Sequence, residues 1–117
     1  MTTDTNRPGA HQFVAFEFSL EIIGWLRAVV AKIEKKDARL ARQIVASASS
    51  VAANLAEGSR RRGQDRTHFY RIAAGSAEET RAHLRVALAW GWVAQGDIDR
   101  PLAMIDRELA MLWRITR

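Results

Sequence analysis

From Phe13 to the end of the chain, apolar residues recur at intervals of three and four almost without a break, and one proline and six glycines are the main punctuation. That spacing belongs to helices with one face turned inward. The expected class is all-α. The first helix carries Phe13, Phe16, Leu20, Ile23 and Val30 on one stripe and Phe18, Ile22, Trp25 and Val29 on another. A helix apolar over so much of its circumference needs cover on several sides. In a chain of 117 residues the surplus stripe, marked by Phe18, Trp25 and Val29, is expected to face another subunit.

Lys35-Lys36-Asp37 ends the first helix and offers Asp37 as the N-cap of a second. This helix runs to about Arg60 with Leu40, Ile44, Ala48, Val51 and Leu55 inward, and its middle, Ala46 to Ala53, is made almost entirely of small side chains. Small side chains permit close approach, so it belongs at the centre. Gly58 and Gly63 flank a turn, and Gln64 or Asp65 is placed to cap a third helix reaching about Trp90. Setting its residues about 100° apart gathers Phe69, Ile72, Ala73, Ser76, Thr80, His83, Ala87 and Trp90 on an inner arc. Arg66, Tyr70, Arg71, Arg81 and Arg85 fall on the outer one. Gly91, Gly96, Asp97 and Asp99 read as the last connection, with Pro101 near the first turn of a fourth helix. Its seam is Ile98, Leu102, Ile105, Leu109, Leu112 and Thr116, and Arg100, Arg107 and Arg114 recur on its outer side. Short connections make consecutive helices antiparallel neighbours. The expected domain is an antiparallel up-down-up-down four-helix bundle over residues 12–117, after a disordered polar tail at 1–11.

Charge narrows the function. The formal net charge is +5, and of 18 lysines and arginines only Lys32, Lys35 and Lys36 are lysine. Guanidinium groups match phosphate and carboxylate oxygens two at a time. Arg60, Arg61, Arg62, Arg66, Arg71, Arg81 and Arg85 fan from the turn along the third helix, a candidate surface for a phosphate backbone. No base-reading motif accompanies them, so binding is expected to be salt-sensitive and directed at phosphates. The alternative is an ordinary solvated face.

Catalytic chemistry finds no footing. Cysteine is absent, and Ser47, Ser49, Ser50 and Ser76 have no histidine at a useful spacing, so the chain reads as not an enzyme. Glu79 and His83 lie one turn apart, but the paired Glu-x-x-His motifs of di-iron bundles are missing, and neither metal nor cofactor is expected. Asn54, Glu57, Gly58, Gly75, Ser76 and Glu79 read as a packing lock between the second and third helices, with Asn54 and Glu79 satisfying each other. Trp25, Trp90, Trp92 and Trp113 suit core and subunit packing better than base stacking. No apolar run approaches the roughly 18–20 residues needed to cross a bilayer, so a soluble, cytoplasmic protein is expected.

Ser50, Asn54-Leu-Ala-Glu-Gly58, the arginine-rich turn, Phe69, Ile72-Ala73, Gly75-Ser76, Glu79, Leu84, Ala87 and Trp90-Gly91-Trp92 together give a pattern spanning most of the domain. The pattern resembles the small bacterial four-helix bundle proteins first noticed as products of intervening sequences in 23S rRNA genes. The resemblance implies a four-helix bundle with Asn54, Glu57, Gly58, Gly75, Ser76 and Glu79 as its packing signature. It also brings in the accessory variability protein of diversity-generating retroelements, a basic homopentamer that binds nucleic acid and a reverse transcriptase. A homo-oligomer, as a pentamer, is therefore the implied assembly, and structured RNA or a DNA–RNA intermediate the implied partner. The rival expectation is an oligomeric scaffold that docks an acidic protein such as a reverse transcriptase without touching nucleic acid.

Overall fold

Connectors at 35–37, 60–62 and 90–94 are too short to do more than reverse the chain, and they fix the topology. The computed structural model describes residues 10–117, with side chains from residue 13, as α1 (Ala10–Glu34), α2 (Ala38–Ser59), α3 (Gly63–Ala89) and α4 (Gln95–Thr116). The tail expected at 1–11 lies, up to residue 9, outside the described residues, and α1 begins at Ala10. Each helix packs on its two neighbours in the order α1, α2, α3, α4 and back to α1. Antiparallel register is visible in the cross-helix pairs: Lys32 meets Asp97 while Phe18 meets Arg107, and Ser47 meets Thr80 while Ser50 meets Ser76. The bundle is up-down-up-down, as expected.

The chain starts and stops its helices by local chemistry. Asp37 is extended and its Oδ1 accepts from the Leu40 N–H at 3.1 Å, an N-cap. Replacing it by alanine is expected to cost about 1 kcal/mol, readable as a lower urea midpoint. Neither Gln64 nor Asp65 caps α3. The N-cap position is Arg62, without a side-chain bond, because Gly63 at φ +60° reverses the chain and already starts the helix. Gln64 and Asp65 therefore fall in its first turn. Helix α4 also begins early. Asp97 Oδ2 accepts from the Ala94 N–H at 2.8 Å and from Lys32 at 2.7 Å, so Gly96, Asp97 and Asp99 are helical and Pro101 sits in the second turn. These two bonds, the Lys32 ammonium first, hold the Asp97 carboxyl below its usual range.

The core follows a seven-residue repeat on every helix. Buried positions are Ala15, Ser19, Ile22, Leu26, Val29 and Ile33 on α1, and Tyr70, Ala73, Ala77, Thr80, Leu84 and Ala87 on α3. Both alternate by three and four, the packing of a left-handed bundle. Val29 is thus a core residue, 4% exposed, and is unavailable as the subunit contact expected of it. Tyr70, expected on the outer arc of α3, is fully buried, while Ile72 and Trp90 from the inner arc are exposed.

Candidate nucleic-acid interface

The α2–α3 turn gathers arginines because two helix ends meet there, but it uses some of them itself. The last turn of α2 leaves carbonyls without helical partners. Arg66, one turn into α3, donates Nε to the Gly58 carbonyl at 3.3 Å and Nη2 to that of Ser59 at 3.4 Å. A cation there also answers the negative end of the α2 dipole. Arg61 lies between Glu57 Oε2 at 3.2 Å and Asp65 Oδ2 at 3.8 Å, over the Phe69 ring at 5.2 Å. Arg81 reaches across to Asp106 Oδ1 at 2.7 Å, tying α3 to α4. Three of the seven arginines expected to meet phosphate are therefore already engaged. Arg60, Arg62, Arg71 and Arg85 are exposed, with no ion pair among the described residues.

The expected packing signature divides as well. Asn54, Gly58 and Ser76 lie in the α2–α3 seam. Asn54 Nδ2 donates to the Ser50 carbonyl at 2.8 Å and to Ser50 Oγ at 3.0 Å, and Ser50 Oγ meets Ser76 Oγ at 2.8 Å. One turn along, Ser47 Oγ and Thr80 Oγ1 meet at 2.7 Å, and the Thr80 hydroxyl is 2.9 Å from the Ser76 carbonyl. These hydroxyls bridge helices that small side chains let come close, each bond adding on the order of 1 kcal/mol. Gly58 approaches the Tyr70 ring directly. Glu57, Gly75 and Glu79 stand outside the seam. Glu57 serves Arg61, and Glu79 lies 3.6 Å from His83 Nε2 instead of bonding Asn54. A Cβ on Gly75 would meet nothing within 4 Å, so in the protomer that glycine permits no close contact. Both residues sit on the solvent edge of α3, because the inward line passes through Ala73, Ala77 and Thr80 instead.

Residues 14–114 match the family described as 23S rRNA-intervening sequence protein. The chain belongs to this family. A solved structure of a protein of unknown function from the S23 ribosomal protein family of Bacteroides thetaiotaomicron superposes with a TM-score of 0.76 at 20% sequence identity. The superposition covers 92% of this chain and 98% of that one. At that identity the likeness concerns the fold. No curated protein matches the chain.

Two further features of this 23S rRNA-intervening sequence family member were not expected from its sequence. One is Glu108. On α4 the centre line runs Ile98, Pro101, Ile105, Glu108 and Leu112, so a carboxylate position falls among core residues. Its side chain is fully buried, both carboxyl oxygens lack a hydrogen-bond partner, and it borders a cavity of about 10 Å³. Every helix lines that cavity: Ser19 and Ile22, Ala48 and Val51, Ala77 and Thr80, Ile105 and Glu108. Burial pushes the carboxyl up to about 8. The signal in the sequence is its three-and-four spacing with Ile105 and Leu112. No cluster of three His, Cys, Asp or Glu side chains forms among the described residues.

The other feature is the α1–α4 edge. Phe18 is half-buried and Trp25 is 50% exposed, and each ring lies under a guanidinium from α4, Arg107 at 5.1 Å and Arg100 at 4.7 Å. The stripe expected to wait for another subunit is thus partly roofed by its own chain. Other apolar surface stays open: Phe13, Leu20, Val45, Val86 and Trp113 are exposed, and a groove of about 320 Å³ runs between α1 and α2, lined by Ile23, Val30, Ile44 and Val45 among others. None of the helices among the described residues is long and apolar enough to cross a membrane.

Proposed function

We propose that this protein is a non-enzymatic, cytoplasmic homo-oligomer that binds nucleic acid, structured RNA or a DNA–RNA intermediate, through arginine surfaces on a rigid bundle. What supports the reading is Arg60, Arg62, Arg71 and Arg85, four exposed guanidinium groups with no acidic partner among the described residues, in a chain of net charge +5. Unpaired arginines retain their donors for phosphate and release counterions when they bind it. Arg61, Arg66 and Arg81 hold the scaffold and contribute field more than contacts. Self-association is supported by the open apolar side chains and the α1–α2 groove, and light scattering reads its subunit number against the pentamer of the proposal.

Changing Arg60, Arg62, Arg71 and Arg85 together to glutamine is expected to weaken filter binding of structured RNA at 50 mM salt at least about tenfold, with a log-affinity against log-salt slope shallower by about 3. Helicity should stay at the wild-type level, because none of the four side chains holds a partner among the described residues. Unchanged affinity in the quadruple variant removes this site. The second reading, a scaffold docking an acidic partner such as a reverse transcriptase, is favoured by the same unpaired cations. Pull-down that persists after nuclease treatment, from a protein that retains no RNA on filters, selects it.

A further inference from the structure

We infer that the α1–α4 edge is a binding strip for single-stranded nucleic acid, built from arginines laid on aromatic rings. This rests on the reading that the protein binds nucleic acid, and it adds a second face to the α2–α3 corner. The Arg100 guanidinium carbon lies 4.7 Å from the centre of the Trp25 ring, and that of Arg107 lies 5.1 Å from the centre of Phe18. The paired residues are seven apart on both helices, so the antiparallel register repeats the same motif after two turns, about 10.5 Å along the axis. Arg114, exposed, continues the row on α4.

A guanidinium held over a ring by cation–π attraction spends no N–H donor on an acceptor, so its donors stay available to grip a phosphate oxygen pair. None of Arg100, Arg107 and Arg114 has an ion-pair partner among the described residues. Trp25, half exposed beside its arginine, offers ring surface to a base that is already unstacked. Duplex keeps its bases inside and uses only the charges, whereas a single strand uses both charge and ring. The composition of the strip therefore favours the single strand. One acid opposes it: Glu21 is exposed on the same edge of α1, one turn from both Phe18 and Trp25, and has no cation within ion-pair distance among the described residues.

The test measures binding of single-stranded and duplex 20-mer oligonucleotides to the full chain at 50–300 mM salt, by anisotropy and by tryptophan quenching. The Arg100→Gln/Arg107→Gln/Arg114→Gln variant is expected to lose about tenfold or more for the single strand, with a salt slope shallower by about 2. Trp25→Phe should lose most of the quenching, and Glu21→Gln should bind more tightly than wild type. Arg100→Lys/Arg107→Lys keeps the charge and gives up the forked guanidinium, so it should retain most of the salt slope with several-fold weaker binding. It also serves as the reading if the glutamine variant fails to fold. Single-strand affinity unchanged in the arginine variants, or tighter binding of duplex than of single strand by wild type, overturns the strip. If wild type binds but only the Arg60, Arg62, Arg71 and Arg85 variant weakens, this inference falls and the proposed function stands. If wild type binds neither oligonucleotide nor structured RNA, both fall.

Discussion

Replacing Glu108 should make the protein more stable, and the gain should depend on pH. A carboxyl with no partner for either oxygen keeps its proton in the closed bundle up to about pH 8, whereas its ordinary value is 4.5. The folded form therefore binds a proton that the unfolded chain has released. Stability contributed by that difference is complete below the unfolded value and declines as pH rises toward the folded one. Between pH 5 and pH 8 the loss is on the order of 3 kcal/mol, at about 1.4 kcal/mol per unit. Glu108→Gln removes the ionisation and should flatten the profile across this window, leaving the variant on the order of 10 °C more heat-stable than wild type at pH 8. Glu108→Met should do the same and also gain at pH 5, since it removes an unsatisfied polar group from the core. The other shifted groups act elsewhere. Asp97, held below 3.8 by Lys32, loses its contribution as pH falls into the acid range, and Tyr70, raised from 10.0 by burial, acts only in strong alkali. Melting curves at pH 5 and pH 8 decide the matter: parallel changes in wild type and Glu108→Gln would show that this carboxyl is not the proton-linked group.

Glu108 also shows where the sequence stops being readable. The number of helices, their order and the Asp37 cap follow from spacing and local chemistry, and so do the inward residues of α2. The angular placement of α3 and α4 does not, because a wheel turned by 3.6 residues drifts by about 20° per heptad against a bundle that packs on 3.5. On α3 the arc drawn from the sequence lies to one side of the buried line, so Tyr70 falls inside that line and Ile72 outside. On α4 the seam drawn through Leu102 and Leu109 lies one step to the side of the true centre, which holds Pro101 and Glu108. The pairing of the arginines is hidden for a different reason. Arg61 has Glu57 and Asp65 within four residues, but Asp106 and the end of α2 become the partners of Arg81 and Arg66 only when separate helices are brought together. Likewise, nothing local in the sequence puts Arg100 on Trp25. The pairing needs the α1–α4 register, which only the assembled bundle supplies.

Gly58→Ala should destabilise the bundle although alanine is the better helix former. In an open helical position the exchange gains about 1 kcal/mol. Here a Cβ would stand 2.6 Å from Tyr70 Cε1, 2.8 Å from Cδ1 and 3.1 Å from Phe69 Cβ. The obstacle is the flank of a ring that is itself fully buried, so relief requires moving Tyr70 within the core or separating α2 from α3. Overpacking of this kind costs about 1–3 kcal/mol, which exceeds the helical gain and should appear as a lowered urea midpoint with an unchanged slope. The double variant isolates the cause. With Tyr70→Ala in place the ring is gone, and adding Gly58→Ala should then be neutral or favourable. The coupling between the two sites should come to on the order of 2 kcal/mol. Gly75→Ala is the counterpart, since its Cβ meets only open space. It should raise the midpoint by the helical gain alone. If it instead changes the subunit number in light scattering, that edge of α3 is where the copies meet, and the two glycines answer to different neighbours: one to a ring in its own core, the other to a second chain.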